Sequence, residues 1–230
     1  MIKFKNLELI KSLYAYQNVK ITEIVDSYDD AILCRKILSK SYNWSLHDTQ
    51  QLNNILKNTS HHSDIRTNKE YAFNIITNWL IEDLIYETLS IDYGVTKIGS
   101  DNNRKLLNGR NITSEPDLLI SLKNNIMIEI IANYPIKDYS SFWEKELYFD
   151  LRDNKMNSLL DRCKTNRVLI IGVVVEKKQI FIMEINSDTS FQQIRSESNF
   201  GFKKTSRIHF HGRKIKLYPI SSLNTIIRNI

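Results

Sequence analysis

Residues 114–120 read Ser114-Glu115-Pro116-Asp117-Leu118-Leu119-Ile120, and residues 126–130 read Ile126-Met127-Ile128-Glu129-Ile130. Two apolar runs, Leu118 to Leu122 and Ile126 to Ile131, flank Lys123-Asn124-Asn125, which is turn chemistry and predicts a β-hairpin. Pro116 has a fixed φ and no N–H to donate, so it belongs at a strand entrance. Asp117 then starts one strand, and Glu129 lies inside the next, between Ile128 and Ile130. A carboxylate inside an apolar strand is costly to desolvate unless a partner compensates. Two such groups on one hairpin make an all-oxygen site suited to Mg²⁺, an ion that can activate water and neutralise charge on a phosphate. The plainer alternative is a hairpin whose Asp caps a turn and whose Glu faces solvent.

Outward from the hairpin, the apolar spacing changes period. Upstream, Thr67-Asn68-Lys69-Glu70 has the form of a capping box opening a helix over about 68–91, with Phe73, Ile76, Leu80, Leu84 and Leu89 on its buried side. Gly94 ends that pattern, and Val95 to Ile98 begins a strand. Downstream, a second long helix is expected over about 142–163. Val168 to Val175 is β-branched, apolar and too short for a helix, as in a strand covered on both faces. Ile180 to Ile185 forms the next strand. Before residue 62 the apolar positions recur at helical spacing, and 58–66 reads as a linker. The succession predicts one α/β domain, 1–230, with a central mixed sheet flanked by helices. Within it, 1–62 is a helical N-terminal subdomain, 67–185 a core, and 198–230 a basic β-hairpin followed by a C-terminal helix.

The chain has 230 residues, 42% apolar and 25% charged, which suits one globular domain. Its longest apolar stretch, Val168 to Val175, falls far short of the roughly 20 residues a bilayer span needs. Met1-Ile2-Lys3-Phe4-Lys5 turns polar too soon for a signal peptide. Cys34 and Cys163 fit no metal or disulfide spacing. A soluble cytoplasmic protein is expected, with no membrane partner. The net charge of +6 is unevenly spread: seven basic and no acidic residues lie in 198–230, leaving 25 basic against 26 acidic before them. A cationic end on a neutral body points to a polyanion, nucleic acid first, or else to a solvated basic surface.

Pro-Asp, an apolar strand, a short turn and a Glu in the following strand resemble the PD-(D/E)XK nuclease superfamily. The resemblance spans about 68–185 and includes the order of elements. Chain length, N-terminal helices and the basic C-terminal hairpin look most like a type II restriction endonuclease. The resemblance implies a restriction-endonuclease-like core and a homodimer. It also implies cleavage of both strands at a short palindromic site in double-stranded DNA, with Mg²⁺ as cofactor and Mn²⁺ able to substitute. It makes Asp117 and Glu129 catalytic metal ligands. Glu82, on the preceding helix, corresponds to a further acidic residue that helix often contributes, with Asp83 and Glu87 as competitors. The family usually has Lys two residues after the Glu, on the same strand face; here that position is Ile131. An ammonium there would lower the pKa of the attacking water and bind the scissile phosphate. Lys155, beside Asp150 and Asp153, is the first candidate for a relocated catalytic cation, followed by Lys97 and Lys123. Glu115 is set aside as pointing to the opposite face.

For DNA contact, 203–216 interleaves basic residues with Ile208, Phe210 and Ile215. Arg207 to His211 and Lys214 to Leu217 are expected to pair around Gly212 as a ribbon able to enter the major groove. Arg207, His209, His211 and Arg213 are the candidates for base contact, and Lys203, Lys204 and Lys214 for phosphates. Arg104 and Lys105, in a polar loop, could enter the minor groove. The leading function is a Mg²⁺-dependent, sequence-specific endonuclease. A DNA-binding protein of the same fold without catalysis, motivated by Ile131, and a structure-selective repair or junction nuclease are the alternatives.

Overall fold

A computed structural model of the chain describes residues 68–102, 113–133, 148–174, 177–198, 201–209 and 216–230, together with His47 and Gln50. The expected N-terminal helices, Arg104, Lys105, His211, Arg213 and Lys214 lie outside the described residues.

The element order is α1 (Asn68–Leu89), β1 (Val95–Lys97), β2 (Leu118–Ile120), β3 (Ile126–Asn133), β4 (Tyr148–Arg152), α2 (Asp153–Arg162), β5 (Arg167–Val174), β6 (Gln179–Ile185), β7 (Gln192–Ser198), β8 (Gly201–His209), β9 (Tyr218–Pro219), a 3₁₀ turn (Ile220–Ser222) and α3 (Leu223–Asn229). The fold is mixed α/β. A six-stranded sheet runs β1-β2-β3-β5-β6-β9, and a three-stranded sheet runs β4-β8-β7. In the larger sheet only β3 and β5 pair parallel. A parallel pair needs a crossover, and β4 with α2 is the segment that makes it. That return path lays α2 over the sheet, packed on β5, with Lys155 reaching Glu129 of β3.

The crossover face carries a cluster of Met127, Val168, Ile170, Val174, Phe181 and Ile185 from the sheet. Met156 and Leu159 from α2, Leu151 from β4 and Ile208 from β8 close over it. Successive strand residues alternate faces, so Leu169, Ile171 and Val173, all fully buried, point to the other side. There α1 packs on β1 and β3, and α3 packs on α1. Trp79, Leu80, Ile81, Leu84 and Ile85 of α1 are all buried, as in a helix enclosed on more than one side. Asn224 Nδ2 donates to the Thr88 carbonyl at 2.8 Å, tying α3 to α1. No helix among the described residues is long and apolar enough to cross a membrane.

The structure corrects the extent of one expected helix. The helix expected over 142–163 is only Asp153–Arg162; residues 148–152 are strand β4, and 142–147 lie outside the described residues. Tyr148-Phe149-Asp150-Leu151-Arg152 has helix-compatible spacing, but its backbone groups are taken by β8 in an antiparallel ladder. Tertiary pairing overrides weak local preference. The basic hairpin expected between Arg207–His211 and Lys214–Leu217 runs through residues 210–215, which lie outside the described residues; the described part of its first arm, Arg207 to His209, ends β8, which pairs with β7 and β4. Among the described residues, β8 forms a ribbon with the preceding polar segment 192–198.

Candidate active site

Pro116 is buried and lies two residues before β2, where its missing N–H costs the ladder nothing. It delivers Asp117 to a point where the backbone is gripped from both sides. The Asp117 N–H donates to the Ile128 carbonyl at 2.9 Å, and its carbonyl accepts from the Ile98 N–H at 2.9 Å. Its carboxylate Oδ2 accepts the Ile130 N–H at 2.7 Å, so the side chain continues the ladder where β2 has not yet begun. Glu129, in the middle of β3, is only 7% exposed. It shares the crossover face with Met127 and Ile131 by strand alternation.

Over that face comes Lys155, in the first turn of α2. Its Nζ donates to Glu129 Oε2 at 2.9 Å and to the Glu115 carbonyl at 2.7 Å. One ammonium thus joins the strand that carries Glu129 to the segment that delivers Asp117. Arg162, two turns further along α2, donates to the Glu115 carboxylate. Glu115, set aside on sequence grounds, is thus the residue through which α2 is fastened to the hairpin. Its carbonyl carries the contact to Lys155, and side-chain patterning gives no signal for a carbonyl.

Ile131, at the position of the family's usual lysine, is partly buried and packs against the apolar cluster. Its neighbour in register on β5 is Gly172. A Cβ at Gly172 would lie 1.8 Å from the Phe181 ring, so that ring fills the space above it. The motif position faces hydrocarbon, and the cation near Glu129 comes from the crossover helix. Lys97 is engaged elsewhere: its Nζ binds Asp83 Oδ1 at 2.5 Å and lies 4.7 Å from the Tyr86 ring centroid. Lys123 lies in the β2–β3 turn, beside an open cleft of about 680 Å³ that Cys163, Arg167 and Arg228 also line.

The electrostatics follow from packing acids together out of water. Desolvation first, and the Glu129 charge second, raise the Asp117 pKa well above the ordinary carboxylate range; Lys155 and the Ile130 amide act the other way. Burial likewise pushes Glu129 up to about 7, against the pull of Lys155, with Glu82 and Asp101 adding repulsion. For Lys155, burial alone would lower the pKa, but the Glu129 and Asp117 carboxylates outweigh it and hold the ammonium charged. The rise at Glu129 from 4.5 to about 7 is about 3 kcal/mol against the ionised form. One neighbouring ammonium therefore leaves the carboxylates under-compensated.

Glu82 is close enough for its charge to act on Glu129 and Lys155. Sequence reasoning missed Asp101, whose charge acts on both Asp117 and Glu129. Its carboxylate accepts the buried Trp79 indole N–H. Asp101 Oδ1 and Asp117 Oδ1 each lie 3.5 Å from the point where a Cβ on Gly99 would stand. Loop composition around Gly99-Ser100-Asp101 carries no such signal, because the approach is set by the fold. Among the described residues, no three His, Cys, Asp or Glu side chains are grouped to hold one ion between them. A Mg²⁺ ion needs fewer: it is commonly held by one or two carboxylates, with water and substrate phosphate completing its shell. Asp117 and Glu129 fit that donor set, being hard, desolvated and short of positive charge.

Of the residues expected at DNA, Lys203, Lys204, Arg207 and His209 all lie on β8, the central strand of the smaller sheet. Ser206 and Ile208 alternate inward and are buried. No family model, no curated protein and no solved structure matches this chain.

Proposed function

We propose that this chain is a Mg²⁺-dependent endonuclease of restriction-endonuclease-like fold that hydrolyses phosphodiester bonds at a specific, short palindromic site in double-stranded DNA, as a homodimer. The observation that carries the reading is the meeting of two desolvated carboxylates, Asp117 and Glu129, with the Lys155 ammonium. The element order from α1 through β5 and the basic strand β8 add support.

In this reading Asp117 and Glu129 would hold the ion, which supplies Lewis-acid stabilisation of charge on the scissile phosphate. Asp117 is kept in place by the Ile130 amide and the two main-chain bonds around it. Lys155 offers N–H donors beside Glu129, where it would stabilise developing negative charge and orient the attacking water. Its two acceptors fix the ammonium before substrate arrives, so little reorganisation is needed during reaction. The basic residues of β8 would bind the phosphate backbone.

Incubation with mixed-sequence DNA and Mg²⁺, followed by sequencing of fragment ends, tests the reading: discrete termini at one motif are expected. Asp117→Asn and Glu129→Gln should each abolish cleavage while duplex binding survives. Wild-type cleavage rates in both variants would refute the assignment. A second reading, sequence-specific binding without cleavage, is favoured by the apolar surroundings of Ile131. Retained specific binding with no cleavage at any pH, in Mg²⁺ or Mn²⁺, would select it.

A further inference from the structure

β4 runs directly into α2, with Arg152 as the N-cap making no side-chain capping bond. The first helical residue, Asp153, instead reaches sideways. Its Oδ1 accepts the Ser206 hydroxyl at 2.9 Å and the Gln193 amide Nε2 at 3.1 Å. Ser206 is fully buried on β8, and in the ladder it faces Leu151 of β4 and Gln193 of β7. Asp153 therefore binds two of the three strands of the smaller sheet. Lys155 lies two residues on, about 200° round the helix axis, and reaches the opposite way to Glu129 and Glu115. The first turn of α2 is thus held between two sheets, one side on the ribbon and the other on the carboxylates.

We propose that Asp153 is a positioning residue that couples the β7–β8 ribbon to the Lys155 ammonium, so that whatever the ribbon binds is registered beside Glu129. The consequence for catalysis rests on the endonuclease reading; the coupling itself does not. A carboxylate that only tethered the helix would affect stability and leave Lys155 where it is.

Asp153→Ala, Asp153→Asn and Ser206→Ala separate the two. The first readout is single-turnover cleavage at saturating duplex, set against duplex affinity. Asp153→Ala should slow cleavage by about tenfold or more, since small misplacements at a reacting centre are expensive, with affinity unchanged. Asp153→Asn should restore most of the rate, because its amide oxygen still accepts from Ser206. The second readout needs no activity: limiting acetic anhydride, with peptide mass spectrometry of Lys155 against the exposed Lys164, whose side chain is 74% accessible. Lys155 should be weakly labelled in the wild type, several-fold more in Asp153→Ala, and near the wild-type level in Asp153→Asn. If Asp153→Ala does not fold, Ser206→Ala, which leaves the Gln193 contact, should shift the labelling ratio in the same direction. A ratio unchanged in every variant, or raised equally at all lysines, overturns the proposal. If wild-type protein leaves DNA intact, the endonuclease reading falls and the labelling ratio alone decides this one.

Discussion

At the scale of single residues, the chemistry is set by which charges are forced to share a dry space. Glu129 with a pKa of about 7, and Asp117 raised well above its ordinary value, have folded-state pKa values above their unfolded ones. Folding therefore favours their protonated forms. Their contribution to stability is fully present below the unfolded carboxylate range and is lost as pH rises through about 7 at Glu129. A divalent ion held by these acids, as the endonuclease reading proposes, would compete with those protons. Addition of Mg²⁺ is expected to raise the thermal midpoint more at pH 8 than at pH 6, measured by differential scanning fluorimetry. Asp117→Asn should remove that difference. Lys155 is the second test at this scale. Lys155→Ala should lower cleavage by about 10² or more, the usual cost of losing a donor aimed at developing charge, and Lys155→Arg should recover only part of it. A Lys155→Ala variant cutting at the wild-type rate would show that the ammonium is structural.

Elements determine whether those residues meet. The hairpin was legible from Pro116, the turn residues and the two apolar runs, because strand entrances and turns are specified by local backbone chemistry. The helix bearing Lys155 was misjudged in length, since 148–152 owe their strand conformation to β8, more than fifty positions later. Gly172 is likewise unremarkable in sequence, yet the Phe181 ring occupies the volume a side chain would need. Gly172→Ala must push that ring or its strand aside, at a cost of about 1–3 kcal/mol in urea unfolding. Phe181→Ala should cost about 3–5 kcal/mol as a cavity variant. Little effect from Gly172→Ala would mean that β5 and β6 are free to part there.

Across the whole molecule, positive charge and catalytic candidates are assigned to different sheets. Lys203 and Lys204 lie on β8, while Asp117 and Glu129 belong to the larger sheet and the segment entering it. Binding and cutting should therefore be separable by mutation. Lys203→Ala with Lys204→Ala is expected to weaken duplex affinity and to reduce the slope of log K against log salt by about two. Cleavage at saturating duplex should change little. An unchanged salt dependence, measured by fluorescence anisotropy, would remove these lysines from the interface.

From sequence came the hairpin, the acids at its strand entrance and strand interior, the covered strand beginning at Val168, described to Val174, and the concentration of basic residues after 197. All of these are encoded by neighbours within a few positions. The fold supplied what depends on distant partners: the reach of Lys155 to Glu129 and the Glu115 carbonyl, the approach of Asp101 to the acids, and the pairing of β8 with β4 and β7. Periodicity records which face of an element is apolar. It does not record what a parallel crossover will lay across that face, because that choice is made by the packing of the entire chain.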